Sequence, residues 1–168
     1  APEVRNRYRA TAAHSTIAVT GREQDTWPTG QKGLFRLPER SRPQLAIEPD
    51  GTIVGQHVGY GTPHRRLFCL HGNRVEIEDA LDLAAERRIV FNLDPAVLCE
   101  SLNSDGEIVR CTLVHASGLR LSVTVRGASV PTIGEGCFSI GYGVPVPTRN
   151  VVMRMSGVSA WTEIRWDA

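Results

Sequence analysis

Helix-length periodicity is almost missing from this sequence, and that absence narrows the fold more than any motif does. The longest helical candidate, Ala80 to Arg88 (ALDLAAERR), lies between two β-like runs, where weak helix propensity is readily overridden. An excess of one charge is also missing: 19 Lys and Arg stand against 18 Asp and Glu, a formal net charge of +1. A protein that tracks a phosphate backbone concentrates positive charge, so nucleic acid is not the expected partner. No signal-peptide pattern and no apolar run of membrane-spanning length occurs, so no membrane partner is expected. Cysteine is sparse. Cys69, Cys99, Cys111 and Cys137 form no CxxC knuckle, and their pairing is left open. A chain of 168 residues can bury a core without staples, and these cysteines read as small apolar residues.

Turns are what the sequence has in quantity, with 16 Gly and 10 Pro. Asp50-Gly51 between Pro43–Ile47 and Thr52–Val58 is the strongest hairpin signal. A second hairpin joins His64–Leu70 to Arg74–Leu81 through His71-Gly72-Asn73, and a third joins Glu107–His115 to Leu119–Arg126. Asn150–Met155 and Ala160–Trp166 read as a final hairpin around Ser156-Gly157. Ser15–Thr20, Gly33–Leu37, Arg88–Leu93 and Cys137–Tyr142 are further strand candidates, and Ala1–Ala13 reads as a polar connector or edge strand. Within these runs apolar residues alternate with polar ones. Val75, Ile77 and Asp79 share one face, and Leu119, Leu121, Val123 and Val125 share another. About a dozen short strands at this spacing predict a single all-β domain over residues 1–168, an antiparallel β-sandwich of stacked sheets. A closed barrel is the alternative.

Chemistry-bearing residues are few. His14 sits at the mouth of a strand, where one ring nitrogen can face a metal or a proton and the other needs an orienting partner. No HExxH or His-x-His pattern surrounds it, and the plainer reading is a structural histidine. His57, His64 and His71 recur at seven-residue steps, which turns interrupt, and they read as coincidence rather than a three-His site. Asp79 on an apolar face is expected to bond a turn backbone or an arginine such as Arg65 or Arg66. Tyr8, Trp27, Tyr60 and Tyr142 lie near predicted loops, where aromatic rings stack on sugars, although each alone is more often a packing residue. No G-x-S-x-G elbow or P-loop is present.

Several of these residues form a succession. Tyr8-Arg9-x-Thr11-Ala12-Ala13-His14-Ser15-Thr16, with Val19, Gly21 and Gln24, resembles a signature of the heparinase II/III-like polysaccharide lyases. His57-x-Gly59-Tyr60 with His64-Arg65-Arg66, Leu70-x-Gly72-x-x-Val75-x-Ile77-x-Asp79, and Gly141-Tyr142-Gly143 with its following prolines are similar to later parts of that family, in order. The resemblance implies a C-terminal β-sandwich of a larger lyase whose N-terminal α/α-toroid is not in this sequence. It implies β-elimination on an acidic, uronate-containing polysaccharide in the periplasm or outside the cell. His14 becomes a candidate zinc ligand whose partners lie elsewhere, and Tyr8, Arg9, Trp27, Tyr60, His64 and Tyr142 become candidate cleft-rim residues. No catalytic residue is assigned, and the isolated chain is expected to be inactive. Ser15 stands where the family has Asn and Thr20 where it has Asp, so the support of the histidine differs here. The competing readings are a stand-alone carbohydrate-binding module and a structural domain that packs on another body.

Overall fold

Two open antiparallel sheets make up the protein, as described for residues 2–27, 40–141 and 144–167 of the computed structural model. A short helix α1 (Pro2–Arg9) and a single 3-10 turn (Thr11–Ala13) precede β1 (Ile17–Val19). There follow β2 (Gln44–Ile47), β3 (Ile53–His57), β4 (His64–His71), β5 (Arg74–Leu81), β6 (Arg87–Asn92) and β7 (Val97–Asp105). The chain ends with β8 (Ile108–His115), β9 (Arg120–Arg126), β10 (Ala128–Gly141), β11 (Val144–Met155) and β12 (Ser159–Trp166). The smaller sheet has the order β1-β6-β11-β10, and the larger has the order β2-β3-β4-β5-β12-β9-β8-β7. Neither sheet closes on itself, so the expected sandwich is observed and the barrel is not.

Alternation decides what lies between the sheets. On β5, Ile77, Asp79 and Leu81 are buried and Glu78 is exposed. On β9, Val123 and Val125 turn inward. Ile17, Ile89, Val151 and Met153 of the smaller sheet meet Leu81, Val109 and Val125 of the larger in one core. Each such side chain contributes about 1.5–3 kcal/mol by leaving water. The smaller sheet covers only part of its partner. Leu45, Ile47 and Leu70 continue the inner face across β2 and β4 yet are 76, 72 and 73% exposed.

The structure departs from the expected elements in four places. The N-terminal segment is a helix rather than a connector or edge strand. Pro2 fits a first helical position, and Arg7 and Arg9 sit in the last turn, where positive charge meets the helix dipole favourably. Val97–Asp105, for which the sequence predicts no element, form β7, which pairs with β8 through a bulge between Cys99 and Ser101. Ser156-Gly157 does not turn a hairpin. It carries the chain from β11 in the smaller sheet to β12 in the larger, where β12 inserts between β5 and β9. Finally, β10 and β11 form a long ribbon that includes Pro145 and Pro147. Only Asn150–Arg154 of β11 pairs with β6, so the prolines sit where β11 has a partner on one side alone, and a missing N–H is tolerated there. The strand expected over residues 33–37 lies outside the described residues.

Candidate functional site

The site grows from two hairpin registers. His57 on β3 stands opposite His64 on β4, and Arg66 on β4 stands opposite Asp79 on β5, all on the inner face. Asp79 is 2% exposed and His64 is 3% exposed. A carboxylate there needs partners, and it has them. Arg66 grips it in a fork, Nε to Oδ1 at 2.7 Å and Nη2 to Oδ2 at 2.9 Å. His64 Nε2 lies 2.9 Å from the same Oδ1. Burial pushes the Asp79 carboxyl up, but the bonds from His64 and Arg66 outweigh it and hold the group below the ordinary carboxylate range.

Hydrogen-bond logic fixes the protons along this chain. The Gly59 N–H donates to His57 Nδ1 at 3.2 Å, so the His57 proton is on Nε2. That proton is donated to His64 Nδ1 at 2.9 Å, and His64 in turn donates from Nε2 to Asp79. Burial, and then repulsion by His64, push His57 down to about 4. In the unfolded chain the same imidazole titrates near 6.5. The unfolded state therefore binds the extra proton first as pH falls. The stability held by neutral His57 is complete above pH 6.5 and is lost between 6.5 and about 4. After discounting for solvent at this half-buried ring, the effect is about 1–2 kcal/mol. Urea denaturation at stepped pH is expected to show this slope, and His57→Gln is expected to flatten it. A slope unchanged in the variant would assign the acid sensitivity elsewhere.

The same network holds the segment that carries His14. Arg66 Nη1 donates to the Ser15 carbonyl at 2.6 Å, and the Tyr60 hydroxyl donates to the Ile17 carbonyl at 3.0 Å. Arg22 Nη2 returns a bond to the Tyr60 carbonyl at 2.7 Å. Thr11 accepts from the Gln24 N–H, and the Thr11 N–H donates to Glu23. Gly59 packs so closely on the Gln24 backbone that a β-carbon would collide with the Gln24 carbonyl. Two stretches some forty residues apart are thus one structural unit.

A cleft of about 340 Å³ opens beside this unit. His14, Gln24, Gln44, Gln56, His57, His64, Arg66 and Phe68 help to line it. Among the described residues of the lining Arg66 is the one formal cation, and none is a carboxylate. His14 is exposed. Of the expected rim residues that are described, only His64 reaches this cleft, and it does so as a buried network member rather than at the rim. Tyr60 is a correction: it is 2% exposed, with its hydroxyl spent on the chain, because the loop after β3 folds inward against β1. Burial raises its pKa. Tyr8 is half-buried in a different hollow, its hydroxyl 3.1 Å from Cys137 Sγ, and Arg9 follows it at the helix end with Nη1 3.5 Å from Asn6 Oδ1. Trp27 is half-buried and does not line the cleft. Tyr142 lies outside the described residues. The seven-residue histidine spacing, read as coincidence, is in part a cross-strand pair; His71 is exposed and 4.0 Å from Glu76.

The residues present do not fit a zinc ion by themselves. Among the described residues no group of three His, Cys, Asp or Glu is placed to hold a metal. Both ring nitrogens of His57 and of His64 are engaged, which leaves His14 as the cleft imidazole without a ring hydrogen bond among the described residues. The four cysteines are free thiols, and burial pushes Cys111 up to about 12. Cys111 is expected to resist alkylation in the native protein, as peptide mass mapping after a short iodoacetamide pulse would show; rapid labelling would contradict its burial.

Comparison with known proteins places these features. The chain belongs to the family described as heparinase II/III-like, C-terminal, whose model matches residues 1–167. None of the curated proteins compared with it matches. Among solved structures, the heparinase III BT4657 gene product superimposes with a TM-score of 0.65 at 16% identity, over 98% of this chain and 25% of that one. The heparan sulfate lyase HepC from Pedobacter heparinus gives 0.61 at 17% identity, over 98% of this chain and 25% of that one. At such identities the likeness is one of fold. The chain spans about a quarter of the length of these structures.

Proposed function

We propose that this chain is the β-sandwich of a lyase that cleaves an acidic, uronate-containing polysaccharide by β-elimination, with the His14 cleft forming part of the substrate wall. The observation that carries this reading is the convergence of the His14 segment and the His57–Asp79 network on one cleft, lined among the described residues by amides, imidazoles and one guanidinium, with no carboxylate among them. Such a lining can hydrogen-bond sugar hydroxyls and tolerate a polyanion. The family membership supports it. A polymer substrate of this kind places the protein in the periplasm or outside the cell.

In β-elimination a base takes the proton beside the uronate carboxylate, an acid protonates the departing glycosidic oxygen, and the growing carboxylate charge is held by donors. Among the described residues no tyrosine–histidine pair is free for the first two tasks. The Tyr60 hydroxyl and both His57 nitrogens are spent internally, and Tyr8 faces Cys137. The base and acid are therefore assigned to other parts of the whole protein, as would be the remaining ligands of a zinc that took His14. The bare apolar strip of Leu45, Ile47 and Leu70 favours a domain packed on another body over a stand-alone binding module.

The test is the ultraviolet absorbance of the unsaturated product over a panel of uronate polymers, with the whole protein and with this domain alone. An active whole protein and a silent domain are expected. Silence from the folded whole protein, with the domain alone binding a glycan, would replace the lyase reading with the binding-module one. Calorimetry of the domain with zinc is expected to show no tight stoichiometric binding; a tight one-to-one complex would contradict the account of the donor set.

A further inference from the structure

We propose that Arg66 is a positioning residue for His14: clamped by the buried Asp79, it holds the carbonyl of the neighbouring Ser15 and so sets where that imidazole stands in the cleft. The guanidinium has no freedom to choose another place. Two of its nitrogens are fixed on Asp79 at 2.7 and 2.9 Å, and the third reaches the Ser15 carbonyl at 2.6 Å. Asp79 is itself held by His64, and His64 by His57, whose outer nitrogen is closed by the Gly59 N–H. The strength of this arrangement falls on a single backbone oxygen one residue beyond His14. On its other side the Ser15 hydroxyl accepts the Asn92 N–H at 3.1 Å, which ties the same residue to β6. His14 itself is exposed; its own N–H is bonded to the Thr11 carbonyl at 3.1 Å, and the next residue, Ser15, is held through its carbonyl and its hydroxyl. A planar fork is needed for this, because a lysine ammonium is a point charge that cannot span Asp79 and Ser15 in one fixed geometry. Ser15 occupies the position next to His14, so its carbonyl gives β4 a hold one residue from that side chain.

The consequence for catalysis rests on the lyase reading; the positioning itself does not. It is tested on this chain by the imidazole proton–nitrogen signals of its five histidines. In the unmodified chain the Arg66 guanidinium protons are expected to exchange slowly and to show proximity to Ser15, a measurement that needs no variant to fold. In Arg66→Lys the His14 signals are expected to move while those of the exposed His71 and of His115 stay in place. Tyr60→Phe, which releases the Ile17 carbonyl three residues on, is expected to move the His14 signals less than Arg66→Lys does. In the whole protein Arg66→Lys is expected to lower kcat roughly tenfold with little change in KM, and to cost nothing further when His14 is already alanine. Fast-exchanging Arg66 protons, or a folded Arg66→Lys chain with unshifted His14 signals, would overturn the positioning. Additive losses in the double variant would overturn its catalytic consequence. A whole protein silent on every polymer would sink the lyase reading and leave the spectra to decide the positioning.

Discussion

Replacing Asp79 with alanine is expected to cost this protein about 3–5 kcal/mol, read as a shift in the urea midpoint at pH 7 with the slope unchanged. The loss is more than that of one ion pair. The carboxylate is nearly sealed from water and takes bonds from Arg66 and His64 at once. Removing it leaves a guanidinium mostly out of water without a counter-charge, beside an imidazole N–H without an acceptor. Asp79→Asn keeps an acceptor oxygen and is expected to fall between the two. A cost under about 1 kcal/mol for the alanine variant would show that water replaces the carboxylate and that the network is not rigid.

Gly59→Ala is expected to cost about 2–3 kcal/mol, through sterics alone. The added β-carbon meets the Gln24 carbonyl and backbone rather than the tip of a flexible side chain, so something in the fold must shift. The loop after β3 also delivers the Gly59 N–H to His57 and the Tyr60 hydroxyl to Ile17. Moving it loosens the whole junction between this loop and the His14 segment. Gly51→Ala is the contrasting case. Nothing lies near a β-carbon there, and its cost of about 1 kcal/mol comes from the left-handed backbone at φ +86°. Chemical denaturation of the two variants side by side is expected to separate them. Equal costs would mean that the Gly59 contact relaxes freely.

Much of the larger sheet was legible because its cues are local. The two-residue turn at Gly72-Asn73 sets Arg66 opposite Asp79, and parity alone selects Arg66 over Arg65, which points to the outer face. The pairing of His57 with His64 needed one more step. Their connection is long enough that the spacing looks accidental until β3 and β4 are seen to be neighbours. Other features depend on contacts that no local pattern encodes. Ser156-Gly157 reads the same whether the chain reverses within a sheet or crosses between two, and only the destination of β12 decides. Gly134, Gly136, Gly141, Pro145 and Pro147 look like punctuation, yet they belong to the β10–β11 ribbon, much of which has no further partner strand. Tyr60 carried the composition of a rim aromatic. Its burial follows from the inward fold of its loop, which the close approach of Gly59 to Gln24 permits. The partial cleft follows the same division. The His14 signature was visible as a pattern, whereas the device that holds it is spread over three strands and becomes visible only when they are paired.

The cleft beside His14 is proposed to belong to the site of a polysaccharide lyase. The most direct test is the initial rate of unsaturated-product formation by the whole protein and by its His14→Ala variant, with the fold of both checked by their unfolding midpoints. A rate lower by roughly 100-fold is expected in a variant that unfolds where the parent does, the loss that follows when a wall residue no longer positions the substrate against an acid and base held elsewhere. An unchanged kcat/KM in a folded variant would place the chemistry away from this cleft and contradict the account.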